Sequence, residues 1–231
     1  VVVECPPDLA RLFATVPGVR QIVIEGTRRP SFDVHAAMLD LPGLLGTTLE
    51  TVPRAVPYLA APELHNVHLP APIGSHLKVG IAWDGPAANP RDRGRVCPLL
   101  PFVNLFDLPG IAFYSLATGE LAAEDIAAAA CEALITPVGD RLEDFADTAA
   151  AVAQLDLIIA VDSPLVHIAG ALARPVWSLL PAAADWRWLT DRDDSPWYPT
   201  MHLYRQAEAG RWDDVFASLR RDLAALVRSV N

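Results

Sequence analysis

Two hundred and thirty-one residues, 52% of them hydrophobic, suffice for one large domain or two small ones around a sizeable core. That excludes disordered, collagenous and disulfide-stapled chains, and apolar runs such as Leu155 to Val161 fall far short of the roughly 20 residues that span a bilayer. A formal charge of -10 excludes a broad nucleic-acid surface, which needs clustered cations to displace counterions.

Val1 to Glu4 opens the chain as a buried strand with no preceding cap or leader. Asp8 caps a short helix through Thr15, Pro17-Gly18 turns the chain, and Gln21 to Glu25 and Phe32 to Met38 read as second and third strands. One helical turn is expected near Leu44, and Pro62 to His76 reads as a linker. The expected organisation is therefore a partial first lobe with linker, residues 1–75, and a second lobe, residues 76–231. The second lobe begins with strand Lys78 to Trp83, then a polar loop from Asp84 to Val96. Next come a helix over Leu99 to Phe106, strand Ile111 to Leu116, helix Ala122 to Leu134, a short strand near Ile135 and helix Phe145 to Gln154. Strand Leu155 to Val161, helix Pro164 to Leu172 and strand Val176 to Leu180 follow. The tail holds an aromatic-rich loop from Asp185 to Pro199, an edge strand Met201 to Arg205 and a terminal helix from Trp212 to Val230. Alternating strands and helices predict an α/β fold with a parallel sheet covered on both faces.

The chemistry concentrates at Asp162-Ser163-Pro164-Leu165-Val166-His167, a strand-to-helix turn. Ser163 suits the N-cap and Pro164 the first helical position, where its missing N–H leaves no gap; the positive helix end then points to the strand's carboxyl edge. Such an end binds phosphate. His167, one turn in, suits donation to a phosphate oxygen, Asp162 suits a sugar hydroxyl, and Gly170 lets the helix approach the sheet. The alternative reading of this stretch is an ordinary capped crossover helix with a partly buried histidine. The loop after Trp83 and Gly85 carries Arg91, Arg93 and Arg95, guanidinium forks at a second strand's carboxyl edge. Lys78 is the only lysine, so an anion site here draws on arginine, imidazole and backbone amides.

Asp162 to Leu172 with Arg174-Pro175-Val176-Trp177 resembles the nucleotide-sugar motif of heptosyltransferase-like (family 9-like) GT-B glycosyltransferases. With Asp185-Trp186-Arg187-Trp188 and Asp194-Ser195-Pro196-Trp197-Tyr198-Pro199-Thr200, the chain is similar to the type found C-terminal to tetratricopeptide repeats in bacterial proteins. Asp144 to Ala149 and Gly46-Thr47-Thr48-Leu49 fit the same pattern. The resemblance implies Rossmann-like lobes, with a nucleotide-diphosphate sugar as substrate, no cofactor and no metal. The acceptor class, glycan, lipid or protein, stays open. Asp162 would contact the donor sugar, Ser163, Pro164 and His167 the diphosphate, and Arg93 or Arg95 would supply the phosphate cation, beside Trp83 and Gly85. In such enzymes the last helix commonly returns to the first lobe, which nominates Trp212 to Val230.

The departures carry equal information. The family's opening Gly-rich turn has no counterpart, so the chain is expected to start late and the catalytic base to lie in a preceding segment. In the arginine loop Asn89, Arg91 and Val96 stand where relatives often carry histidine, asparagine and serine, and Ala117-Thr118 replaces a polar pair. A glycosyltransferase, or its donor-binding part, is therefore expected, with a non-catalytic interaction module as the alternative. A third possibility, a sugar-nucleotide epimerase, lacks a compelling internal carboxylate. His65, His68 and His76 lack the cysteine partners of a zinc site, and His35 and His202 read as structural. No GxGxxG, GxxxxGK[ST] or GxSxG occurs. Cys5, Cys97 and Cys131 stand far apart and are expected as reduced, buried thiols, which with the missing export signal suggests a cytoplasmic protein. Tryptophans 177, 186, 188 and 197 are expected to pack the tail loop against the sheet.

Overall fold

The computed structural model describes residues 1–63, 67–83 and 96–230. Two parallel sheets organise the chain. The smaller joins β1 (Val2–Cys5) to β2 (Gln21–Ile24), connected by a 3-10 turn and the short helix α1 (Ala10–Phe13). The larger contains β3 (Leu77–Ala82), β4 (Ile111–Ser115), β5 (Ile135–Pro137), β6 (Leu157–Val161), β7 (Val176–Leu180) and β8 (Met201–Arg205). Its spatial order is β5-β4-β3-β6-β7-β8, every neighbouring pair parallel. This is the order of doubly wound nucleotide-binding sheets, and the expected α/β class is borne out.

Both faces of the sheet are covered, so its central strands read as unbroken apolar runs; all five residues of β6 are buried. On one face, α4 (Phe145–Val152) and α5 (Pro164–Ala171) pack with Tyr114, Ile158 and Trp188. Leu12 of α1 and Leu59, Val67 and Leu69 join this same cluster. On the other face, α6 (Asp213–Val230) presents Val215, Phe216, Leu219, Leu223 and Val227, spaced to form one stripe, to Phe102, Leu105 and the sheet.

Polar contacts tie the early chain to the large sheet. Arg11 pairs with Asp144 and Asp147 at 3.0 and 3.2 Å, and Asp144 caps α4 by accepting from the amides of Ala146 and Asp147. Part of the expected linker also lies against this body. Gln154 accepts from the Leu69 amide and donates to the Val67 carbonyl, Lys78 Nζ donates to the Leu69 carbonyl at 2.7 Å, and Tyr114 Oη donates to the Pro70 carbonyl.

Four expectations are corrected. Phe32 to Met38 forms no strand: Phe32 and Val34 are 56% and 86% exposed, and the stretch lines no sheet edge that would satisfy its backbone. The helix expected over Ala122 to Leu134 is α3 (Glu120–Ala128), ending where Ala130 takes a left-handed conformation, φ 50°. The helix over Leu99 to Phe106 is a 3-10 segment, Leu100–Leu105, flanked and entered by Pro98 and Pro101. Lastly, among the described residues the buried stripe of α6 does not pack on the first segment. The stripe belongs to the cluster formed by residues from Leu77 onward, and Arg220 pairs with Asp107.

The three cysteines are buried, and among the described residues none is in a disulfide. Among the described residues, no helix is long and apolar enough to cross a membrane.

The chain packs tightly where it crosses from β5 to α4. A β-carbon added to Gly139 would overlap the Ala117 carbonyl oxygen, a backbone group unable to swing aside. Gly139→Ala is therefore expected to lower the unfolding free energy by about 2–4 kcal/mol, read from urea denaturation.

Candidate functional site

The sheet's order sets the site's position. After β3 the chain builds outward through β4 and β5, then crosses back to place β6 against the other edge of β3. The strand order therefore reverses between β3 and β6, the topological position at which α/β sheets bind ligands. Trp83 follows the end of β3, and Asp162 the end of β6.

From β6 the chain turns through Asp162 into α5. Ser163 occupies the N-cap with extended backbone, φ -152° and ψ 168°, and Pro164 is the first helical residue, as the sequence suggests. The hydroxyl does not close the cap: no side-chain capping bond forms, and Ser163 Oγ is buried without a partner among the described residues. The helix start at the carboxyl edge of β6 is thus not capped by the serine side chain.

His167 lies one turn into α5 and is enclosed by the tail loop. Its ring stacks on Trp188, with centroids 5.2 Å apart and planes 18° from parallel. Its Nδ1 lies 3.1 Å from Tyr198 Oη, which in turn lies 3.4 Å from Tyr58 Oη. The Tyr198 ring reaches this position because Gly170 has no side chain; a β-carbon there would overlap the ring. Gly170 was expected to admit the sheet, but it admits Tyr198.

The aromatic motif of the tail supports this enclosure. Ser195 Oγ, buried, accepts from the amides of Trp197 and Tyr198 at 3.1 and 3.3 Å and fixes the turn that presents Tyr198. Trp197 Nε1 donates to the Arg187 carbonyl at 3.0 Å, and Arg205 donates to the carbonyls of Trp188 and Leu189. Trp188 is fully buried and Trp197 partly so, consistent with packing, whereas Trp186 is 62% exposed.

Burial pushes the His167 imidazole below its ordinary pKa. The Asp162 carboxylate opposes this, Arg187 reinforces it, and Asp185 opposes it. Burial also drives the Tyr198 phenol well above its ordinary range, so the hydroxyl keeps its proton.

Asp162, Ser163, Pro164 and His167 are brought together on one turn. Trp83 is buried, and its Nε1 donates to Asp125 Oδ2 of α3 at 2.8 Å, so its indole is a core anchor at the end of β3. Gly85, Arg93 and Arg95 lie outside the described residues. Sequence reasoning missed Tyr58 and Tyr198. The available signal was Gly170, three positions after His167 and so on its helix face, where a missing side chain makes room for a bulky neighbour.

Compared with known proteins, no protein-family model matches the chain. Protein FlbA of Caulobacter vibrioides is 29% identical over 204 residues, covering 84% of this chain and 34% of its own length. The chain thus spans about a third of the curated relative it matches. A family 9 glycosyl transferase from Veillonella parvula is similar over 67% of this chain and 45% of its own, with 12% identity and a TM-score of 0.43. E. coli heptosyltransferase WaaC, solved with ADP, is similar over 68% and 45%, with 14% identity and a TM-score of 0.41. For E. coli ADP-heptose heptosyltransferase II the coverage is 67% and 46%, with 15% identity and a TM-score of 0.43.

The lowered affinity of His167 for a proton carries a consequence for stability. The unfolded chain binds that proton more tightly than the folded one, so this contribution is complete above the ordinary value of about 6.5 and is lost as pH falls below it. Unfolding free energies from urea denaturation at pH 8 and 5.5 are expected to drop more for the wild type than for His167→Gln, by at most about 1.4 kcal/mol per pH unit.

Proposed function

We propose that the chain is a glycosyltransferase, or the donor-binding part of one, that holds a nucleotide-diphosphate sugar at the crevice between β3 and β6. The observation carrying this reading is the Asp162 to His167 turn. It combines an open helix N-terminus, an imidazole one turn in and a carboxylate at the strand end, located where the sheet changes direction. The sequence motif resembling the nucleotide-sugar motif of heptosyltransferase-like enzymes covers the same residues and extends to Thr200.

In this reading the amide dipoles at the start of α5 and the His167 N–H stabilise the charge that develops on the departing diphosphate, and Asp162 orients the sugar through its hydroxyls. Arg93 and Arg95 add guanidinium donors, so no metal is required. Residues 1–75 belong to the acceptor-side lobe, the acceptor being a glycan, lipid or protein. We place the protein in the cytoplasm, where nucleotide sugars are supplied, and associate it with the bacterial tetratricopeptide-repeat type.

A second reading, a non-catalytic module that retains the fold, is favoured by Asn89, Arg91 and Val96 at the altered positions of the arginine loop. Calorimetric titration with UDP, ADP and GDP and their sugar conjugates separates the two. One diphosphate is expected to bind at micromolar affinity, weakened at least about tenfold in His167→Ala. A folded wild type that binds none of them overturns the donor site and leaves the interaction module.

A further inference from the structure

His167 has two ring nitrogens, and their different surroundings decide which carries the proton of the neutral ring. Nδ1 faces the Tyr198 hydroxyl at 3.1 Å, whereas Nε2 makes no hydrogen bond to the described residues. A single hydroxyl proton permits two arrangements. In one, Tyr58 donates to Tyr198, Tyr198 donates to Nδ1, and Nε2 carries the proton. In the other, Nδ1–H donates to Tyr198, Tyr198 donates to Tyr58, and Nε2 is a bare acceptor.

Two features favour the first arrangement. A phenol hydroxyl is a stronger acid than a neutral imidazole N–H, and an imidazole nitrogen a stronger base than a phenol oxygen, so Tyr198 donates to Nδ1 and its single proton leaves Tyr58 as the donor between the two hydroxyls. A neutral imidazole side chain also inherently prefers its proton on Nε2. The groups are rigidly held: Trp188 stacks on one ring face, Gly170 seats the Tyr198 ring, and the amides of Tyr58 and Leu59 donate to the Ala171 carbonyl at the end of α5.

We infer that Tyr198 is a positioning residue that fixes His167 as the Nε2–H tautomer, and that Tyr58, from the chain before β3, completes a hydroxyl relay extending to the surface. The relay makes His167 a hydrogen-bond donor without making it a cation. Its purpose, presenting Nε2–H to an anionic diphosphate, rests on the function proposed above; the tautomer itself does not. The charged and titratable groups acting on the ring are Asp162, Asp185, Arg187 and Tyr198, with Tyr58 behind Tyr198.

The test is imidazole nitrogen NMR of the ligand-free, uniformly nitrogen-15-labelled protein near pH 7.5, with His167 assigned through His167→Gln. The wild type is expected to show pyrrole-type Nε2 and pyridine-type Nδ1. In Tyr198→Phe, which keeps the ring seated on Gly170, the tautomer ratio should fall about five- to tenfold. Tyr58→Phe, at an exposed side chain, should shift it less in the same direction, and this variant decides the matter if Tyr198→Phe does not fold. A wild type protonated at Nδ1, or a ratio unmoved in the folded variant, overturns the relay. Calorimetry with the diphosphates then separates the two ideas. If the tautomer behaves as expected but no diphosphate binds, the donor-site reading falls and the relay stands; if the wild type and Tyr198→Phe bind a diphosphate equally, the positioning role falls and the donor site stands.

Discussion

The parallel pairing of β6 with β3 is the constraint on which the remaining architecture depends. Once β4 and β5 have been laid on one side of β3, the chain must cross back to reach its other edge, and the helices on either side cover opposite faces of the sheet. This reversal buries β6 completely, which is why Leu157 to Val161 contains no polar side chain. It also sets Asp162 and the start of α5 at the carboxyl edge of the sheet where the strand order reverses, the position at which α/β sheets hold ligands.

The chemistry of the turn follows from what the neighbouring elements supply. Ser163 leaves the helix end open where Asp144, one helix earlier, closes its own cap by accepting from two amides. The difference separates a helix end that its own serine leaves uncapped from one sealed by its N-cap carboxylate. His167 is then enclosed by residues from distant parts of the chain: Trp188 between β7 and β8, Tyr198 just before β8 and Tyr58 before β3. Burying an imidazole among aromatic rings disfavours its charged form, and a hydroxyl opposite Nδ1 avoids leaving that nitrogen unsatisfied.

The two faces of the sheet are covered by different means. One is closed by α6, an 18-residue amphipathic helix whose apolar stripe meets Phe102 and Leu105. The other is closed by the short helices α4 and α5 together with pieces from before β3, held by Arg11, Gln154 and Lys78. Tyr58 reaches the site because this early segment is bound to the end of α5 through two amides on one carbonyl.

The amino-acid sequence by itself determined the strands β3 to β8, the start of α5 and the grouping of Asp162, Ser163, Pro164 and His167, because each is encoded locally by an apolar run, a proline at the first helical position or a short turn. The length of α3 and the 3-10 character of Leu100–Leu105 were less legible, since prolines and one left-handed residue outweighed helical periodicity there. Phe32 to Met38 has apolar residues at strand-like spacing but no sheet edge to pair with, and only the folded chain reveals that missing partner. Tertiary structure alone decided that α6 covers its own sheet and that Gly170 receives Tyr198. It likewise decided that His167 is flanked by Trp188, Tyr198 and, through it, Tyr58. These are contacts between residues up to 140 positions apart, made by packing three separate segments onto one helix, and no local pattern encodes them.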